Sequence, residues 1–209
     1  MIKESTFKPA WWLPGGHLQT LWPVLFRRDI DLKLTRERLE LPDGDFIDLD
    51  WYGDQHQGPI VIVLHGLEGS IYSHYAKGLI LALQQSGFRP VFMHFRGCSE
   101  EHNRFDITYH SGFTTDFNFL VQTLRNREPE TPLNAVGVSL GGNILLKWLG
   151  DSCYKNTLRS AIAVSVPLVL KEVVMKLSRG FFQIYQSSSR LIKSIIIKIS
   201  NTFRTKKRN

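Results

Sequence analysis

The feature that most constrains the fold is an alternation of strand and helix patterns over residues 60–166. The run Ile60–Leu64 (IVIVL) is apolar without interruption, which is typical of a strand covered on both faces. Stretches with helical spacing of apolar residues then alternate with further short apolar runs. The predicted helices are Tyr72–Gln85, Gly112–Arg125 and Gly142–Leu149, and the further strands are Pro90–Phe95, Ala135–Val138 and Ala161–Val166. This order predicts an α/β fold with a mostly parallel central sheet and helices on both faces.

A different pattern precedes this alternation. Residues 38–51 predict an antiparallel hairpin around the turn at 42–44, with alternating apolar residues at Leu39, Leu41, Ile47, Leu49 and Trp51. Residues 1–37 are rich in Trp, Pro and Gly and predict an irregular segment whose Trp11, Trp12 and Trp22 pack on the body. We therefore divide the chain into this N-terminal segment, a core over 38–170 and a basic helical segment over 171–209.

Composition and charge exclude several classes of protein. With 43% hydrophobic and 22% charged residues, the 209-residue chain is neither disordered nor fibrous. No apolar run reaches the roughly 18 residues that span a bilayer, and residues 1–7 do not resemble a secretory signal. Residues 151–209 hold 12 Lys and Arg against 2 Asp and Glu, so the net charge of +7 is confined to one end. A nucleic-acid interface over the whole domain is therefore not expected.

The cysteine count and the glycine motifs bear on location and cofactors. Two cysteines, Cys98 and Cys153, favour a reducing, cytoplasmic compartment and exclude a cysteine-rich zinc module. The chain has no Walker motif and no G-x-G-x-x-G. We expect Cys98 to be a packed thiol, and Arg96 and Asp116 to order loops.

The loop after the third strand of this alternation reads GVSLGG over residues 137–142. G-x-S-x-G between a strand and a helix is typical of a nucleophile elbow, a sharp turn that lifts a serine hydroxyl above the sheet. The turn forces the residues two before and two after the serine together, so Gly137 and Gly141 must lack side chains. The pattern predicts Ser139 as a nucleophile near a helix N-terminus, and the alternative is a glycine turn with an incidental serine.

The loop after the first strand of the alternation reads HGLEGS over residues 65–70. In the elbow geometry two backbone N–H groups hold the oxyanion of a tetrahedral intermediate, and each is worth about 3 kcal/mol. We predict that these groups belong to Leu67 and Leu140. Gly66 lets the backbone approach the substrate, and His65 orders the loop rather than acting as a base.

Several segments together resemble the YheT-like α/β-hydrolases, the AB hydrolase 4 group of carboxylesterases. The matching segments are 17–20 (HLQT), 39–51, 63–70 (VLHGLEGS), 93–99 (MHFRGCS), 103–104, 109–112 (YHSG), 135–143 (AVGVSLGGN), 165–170 and 180–186. The resemblance implies the α/β-hydrolase fold and Ser139 as the nucleophile. It also implies hydrolysis of short acyl or lipid-like esters without a metal or organic cofactor.

The acid and the base of a catalytic triad have no candidates where the resemblance places them. The expected chain order is Ser, Asp, His. All seven histidines precede Ser139, and the single aspartate after it, Asp151, is predicted at the end of the following helix. We interpret the chain as truncated at its C-terminal end and expect impaired activity, since a serine without a base is a poor nucleophile. An upstream histidine, His94 or His110, is the alternative base.

Residues 189–204 predict an amphipathic basic helix with an apolar stripe at Ile192, Ile195, Ile196, Ile199 and Phe203. Two interpretations remain open. The first is a lid helix over the cleft, and the second is a helix that contacts an anionic membrane surface. The second functional hypothesis is accordingly a non-catalytic remnant or a peripheral membrane-binding fragment.

Overall fold

The structure is a computed structural model, and it describes residues 4–16, 18, 19, 22, 26, 30–53, 58–151, 158–170 and 175. The regular elements within these ranges are strands β1 (Thr35–Glu40), β2 (Phe46–Trp51), β3 (Ile60–Leu64), β4 (Arg89–Met93), β5 (Leu133–Val138) and β6 (Ser160–Val164), and helices α1 (Ala76–Gln85), α2 (Thr115–Arg127) and α3 (Leu140–Gly150). The predicted alternation of strands and helices is confirmed.

The strands form one sheet in the order β1-β2-β4-β3-β5-β6. Strands β4, β3, β5 and β6 are parallel, whereas β2 is antiparallel to both β1 and β4. The predicted α/β class is therefore confirmed, with the hairpin β1–β2 added to one edge. Helix α1 begins later than predicted, because residues 70–76 form turns closed by bonds such as Ser73 N–H to Ser70 C=O at 2.9 Å.

The apolar core lies on both faces of this sheet. Neighbouring residues of a strand point to opposite faces, so Ile62 and Val63 belong to different clusters. Val63 packs with Ile80 of α1, and Ile62 packs in the larger cluster with α2 and α3. All five alternating apolar residues of the hairpin join the larger cluster: Leu39, Leu41, Ile47, Leu49 and Trp51.

On the other face of the hairpin, the two aspartates of β2 are buried. Asp48 and Asp50 of β2 are 1% and 2% exposed. Their cross-strand partners are Arg38 and Arg36, and each arginine binds its aspartate through two nitrogens. Alternation in the sequence predicted the apolar face, but it did not indicate that these two aspartates are buried.

The N-terminal tryptophans are more exposed than the prediction of packing on the body suggests. Trp11 is 91% exposed, and Trp12 and Trp22 are 48% and 40% exposed. Trp12 packs edge-on against Trp22 at 4.9 Å between ring centroids, and Trp22 stacks on Phe26. The predicted helix over 189–204 lies outside the described residues, and the three-part division of the chain remains a prediction. Within the described ranges, no helix is long and apolar enough to cross a bilayer.

Candidate active site

Ser139 lies at the turn between β5 and α3. Strand β5 ends at Val138 and helix α3 begins at Leu140, so the serine is the N-cap residue. Its backbone has φ 53° and ψ −115°, a region that costs a non-glycine residue about 1–3 kcal/mol. The Ser139 N–H donates to the Val164 carbonyl of β6 over 2.8 Å. The hydroxyl is therefore carried by a strained backbone at the carboxyl end of β5.

The glycines around Ser139 allow three backbone segments to meet. A Cβ on Gly137 would lie 2.5 Å from the Gly141 carbonyl oxygen. A Cβ on Gly141 would lie 2.5 Å from the His65 carbonyl oxygen and 2.6 Å from that of Leu64. These positions are inside van der Waals contact, so a side chain at either glycine would push β5, α3 and the end of β3 apart.

The loop over residues 65–70, here called the oxyanion loop, meets the elbow at Gly66. A Cβ on Gly66 would lie 3.4 Å from Ser139 Cβ and 3.9 Å from Ser139 Oγ. In the part of the chain that the structure describes, the N–H groups of Leu67 and Leu140 have no hydrogen-bond acceptor. Each belongs to the residue that follows one of the two contacting residues, Gly66 and Ser139.

His65 is the first residue of the oxyanion loop, and its side chain is fully buried. The Phe95 N–H donates to its Nε2 over 3.1 Å, so Nε2 carries no proton. Nδ1–H then donates to the Gly66 carbonyl oxygen over 2.6 Å. Burial lowers the pKa of His65 to about 3, which keeps the ring neutral. His65 thus holds the loop, and neither ring nitrogen is open to a proton from Ser139.

His94 is also committed to other partners. Its Nε2 contacts Asp50 Oδ2 at 2.6 Å and its Nδ1 contacts the Cys98 carbonyl oxygen at 3.1 Å. Both ring nitrogens therefore already have a partner at hydrogen-bond distance. Burial raises the pKa of Asp50, but hydrogen bonds from His94 and Arg36 outweigh it and lower the pKa below its usual value. The His94 alternative for the catalytic base is therefore not supported by this geometry.

The remaining acid–base candidates also lie away from the serine hydroxyl. His110 is exposed, and its Nδ1 accepts the Gly112 N–H at 3.1 Å. Asp151 is the C-cap residue of α3 and pairs with Lys147 at 3.3 Å, at the opposite end of the helix from Ser139. Within the described residues, no histidine nitrogen forms a hydrogen bond with Ser139 Oγ.

Two tyrosines hold the oxyanion loop, and sequence reasoning assigned no role to either. The Tyr75 hydroxyl accepts the Gly66 N–H over 3.2 Å, and the Tyr109 hydroxyl accepts the Glu68 N–H over 2.7 Å. Tyr109 belongs to the YHSG segment that carried the family resemblance, which was the one available signal. The distance along the chain from Tyr109 to Glu68 hides their contact in the sequence.

A buried charge cluster anchors the loop that follows β4. Arg96 binds both carboxylate oxygens of Asp116 at 2.7 Å, and it also binds Asp43 at 2.7 Å and Asp45 at 3.2 Å. Asn103 donates to Asp45 over 2.9 Å. The cluster ties this loop to α2 and to the turn of the hairpin. The described residues include no group of three or more His, Cys, Asp or Glu side chains that could hold a metal ion.

The fold and the elbow together define a class of protein. A strained serine between a parallel strand and a helix, facing a loop with an open N–H, is the arrangement of an α/β-hydrolase. A family model described as "Serine aminopeptidase, S33" (Hydrolase_4) matches residues 55–208. The chain belongs to this family of serine hydrolases, and within it the chain is YheT-like, as the sequence motifs predicted.

Individual relatives agree with this assignment. The chain is 44% identical over 186 residues to "Putative esterase YheT" of Escherichia coli, covering 88% of this chain and 55% of the relative. It is 30% identical over 173 residues to human "Phospholipase ABHD3", covering 79% and 42%. The esterase Pf2001 of Pyrococcus furiosus superposes with a TM-score of 0.62 at 18% identity, covering 81% and 65%, and supports the fold. The chain thus spans about half the length of these curated relatives.

Proposed function

We propose that this chain carries the acyl-accepting serine, Ser139, of a carboxylic ester hydrolase. The observation that supports it is the meeting of Ser139 with Gly66, which brings the strained serine beside the oxyanion loop. The named esterase and phospholipase relatives support an ester substrate of lipid-like chemistry. We further propose a cytoplasmic protein that binds no nucleic acid, whose residues 189–204 make weak contact with a membrane surface.

The proposed reaction is acyl transfer to Ser139 and then to water. Ser139 Oγ attacks the acyl carbon, and the carbonyl electron pair moves to oxygen, where the N–H groups of Leu67 and Leu140 stabilise the negative charge. Collapse of this intermediate expels the alkoxide, which leaves as the alcohol after taking a proton. Water then attacks the acyl-serine, the acid is released and the Ser139 hydroxyl is restored.

The weak step is removal of the Ser139 proton. Ring nitrogens of His65 and His94 are occupied, and the described residues place no imidazole on the serine hydroxyl. Proton transfer to a positioned base contributes about 10²- to 10⁴-fold to such reactions. We therefore propose that the chain alone transfers its proton to solvent and turns over slowly, and that an external base accelerates it.

A fluorophosphonate probe tests the proposed function. We expect the folded wild-type chain to be modified at Ser139, as located by mass spectrometry of its peptides, and Ser139→Ala to be unmodified. Added imidazole should raise the labelling rate of the wild-type chain in proportion to its concentration. Ser165→Ala is the matched control, because Ser165 is exposed and also has a positive φ, of 52°; its labelling should equal that of the wild type.

The alternative is the non-catalytic, peripheral membrane-binding fragment. An unmodified Ser139 in protein whose circular dichroism shows the native fold, with or without imidazole, would overturn the hydrolase proposal. Sedimentation with anionic vesicles, with and without residues 189–209, then tests the alternative. Equal binding of the two forms would contradict the membrane role of 189–204.

A further inference from the structure

Three consecutive backbone N–H groups in the oxyanion loop differ in whether they have a hydrogen-bond acceptor. Those of Gly66 and Glu68 donate to the hydroxyls of Tyr75 and Tyr109, at 3.2 Å and 2.7 Å. The N–H between them, on Leu67, has no acceptor among the described residues. The loop is therefore pinned immediately before and immediately after the one N–H group that it leaves open.

The pinned segment is a strained turn. The Gly69 N–H donates to the Gly66 carbonyl oxygen over 3.1 Å, which closes a β-turn over residues 66–69. Glu68 occupies its third position with φ 53°, where glycine is the favoured residue. A glutamate is strained in this region, so an external restraint favours the turn. The hydrogen bond from the Glu68 N–H to Tyr109 supplies one at the strained residue itself.

The Tyr109 side chain is held in place by the core. Its side chain is 1% exposed, and its ring packs on Phe95 at 4.9 Å between centroids. Its hydroxyl oxygen accepts the hydrogen bond from the Glu68 N–H. Glu68, by contrast, is exposed to solvent. The restraint thus runs from the core, through one hydroxyl, to the surface turn.

We propose that Tyr109 is a positioning residue, whose hydroxyl holds the 66–69 turn in the form that presents the Leu67 N–H to the oxyanion. This inference rests on the proposed function and adds to it a group that touches neither substrate nor Ser139. Tyr75 provides the second, longer bond on the other side of Leu67 and has the smaller effect of the two.

The test compares Tyr109→Phe and Tyr75→Phe with wild type in the full chain. Tyr52→Phe is the matched control, because Tyr52 is partly buried and its hydroxyl has no hydrogen-bond partner among the described residues. The labelling rate at Ser139 is measured with a fluorophosphonate and with its P=S analogue. An oxyanion site stabilises developing charge on oxygen better than on sulfur, so a misplaced N–H slows the P=O probe more than the P=S probe.

We expect Tyr109→Phe to lower the P=O labelling rate by about 10- to 100-fold, and the P=O to P=S rate ratio to fall with it. Tyr75→Phe should lower the rate less, and Tyr52→Phe should leave it within about twofold. A merely structural role for Tyr109 would lower the melting temperature without changing the ratio of the two probes. An unchanged ratio in Tyr109→Phe therefore overturns the inference.

Amide hydrogen exchange separates this inference from the proposed function. Tyr109→Phe should speed exchange of the Glu68 amide at least tenfold relative to Tyr52→Phe, whether or not Ser139 is reactive. If the wild-type chain is not labelled, the hydrolase proposal fails and exchange alone decides. Unchanged Glu68 exchange would then overturn the role of Tyr109.

Discussion

The two edges of the sheet are built in opposite ways. At the hairpin edge (β1, β2 and the loop over 94–104) every residue of β2 is buried, including its two aspartates. At the β6 edge (β6 and residues 165–170) no residue of the strand is fully buried, and Ile162 and Val164 are 57% and 41% exposed. Strand β2 is enclosed on both faces, although its neighbour β1 is largely exposed, whereas β6 rests on its pairing with β5 and on α3.

The candidate site lies at the end of the adjacent central strands β3 and β5, and its two loops are linked to different sides of the sheet. The oxyanion loop is linked to the hairpin edge through His65, whose ring accepts the Phe95 N–H, and through Tyr109. The Ser139 N–H, in contrast, donates to Val164 of the exposed strand β6. Regions with few buried contacts open at lower free energy than enclosed ones. We therefore expect the turn around Ser139 to open at a lower free energy than the oxyanion loop does.

The largest expected effect comes from breaking the charge cluster of the hairpin edge. Arg96→Leu leaves Asp116 and Asp45 buried without their cation, which costs about 3–5 kcal/mol of unfolding free energy in a urea titration. Arg127→Leu is the control, since Arg127 pairs with Glu37 at 2.6 Å while 45% exposed; it should cost less than about 1 kcal/mol. Equal losses would contradict the difference between enclosed and exposed pairs.

A matched pair of isoleucines compares the edges directly. Ile47 on β2 is 1% exposed and Ile162 on β6 is 57% exposed. Ile47→Ala should lower the unfolding free energy by about 2–5 kcal/mol, because it removes buried contacts and leaves a cavity. Ile162→Ala should change it by less than about 0.5 kcal/mol. A cost for Ile162→Ala as large as that for Ile47→Ala would show that β6 is covered.

Acid should lower the free energy of unfolding through His65, whose buried ring anchors the oxyanion loop. Its pKa of about 3 in the folded state lies below the unfolded value of about 6.5, so the unfolded chain binds the extra proton first. Stability is therefore unaffected above pH 6.5 and falls by about 1.4 kcal/mol per pH unit below it, or about 2 kcal/mol by pH 5. Urea titrations at both pH values measure this loss. His65→Asn should remove this slope, and His110→Gln, at an exposed position, should retain it.

The smallest effect concerns the strained serine. Ser139→Gly relieves the positive φ at the elbow, so its unfolding free energy should exceed that of Ser139→Ala by about 1 kcal/mol in thermal unfolding. Both variants lose the hydroxyl, and only the backbone freedom differs. Ser139→Gly less stable than Ser139→Ala would show that the elbow is not strained.

Local patterns predicted the elements and the two loops that meet at the site. Strand β3 has the predicted bounds, and the motif around Ser139 lies between a strand and a helix as expected. These features depend on residues near one another in the chain: apolar period, turn glycines and the steric demand of the elbow. The α/β class followed from them, and the family followed from the resemblance of whole segments such as 63–70 and 135–143.

The tertiary structure decided what the sequence could not. The buried salt bridges of β2, the occupied nitrogens of His94 and the Tyr109 bond to Glu68 each join residues far apart in the chain. The spacing of residues along the sequence does not reveal such contacts. Polar residues recur at the same spacing whether their side chains face water or a buried partner. The sequence by itself predicted the turn that carries Ser139 and the glycine loop over 65–70 that lies beside it. Tertiary packing decided which side chains hold the turn and the loop, and which histidines already have hydrogen-bond partners.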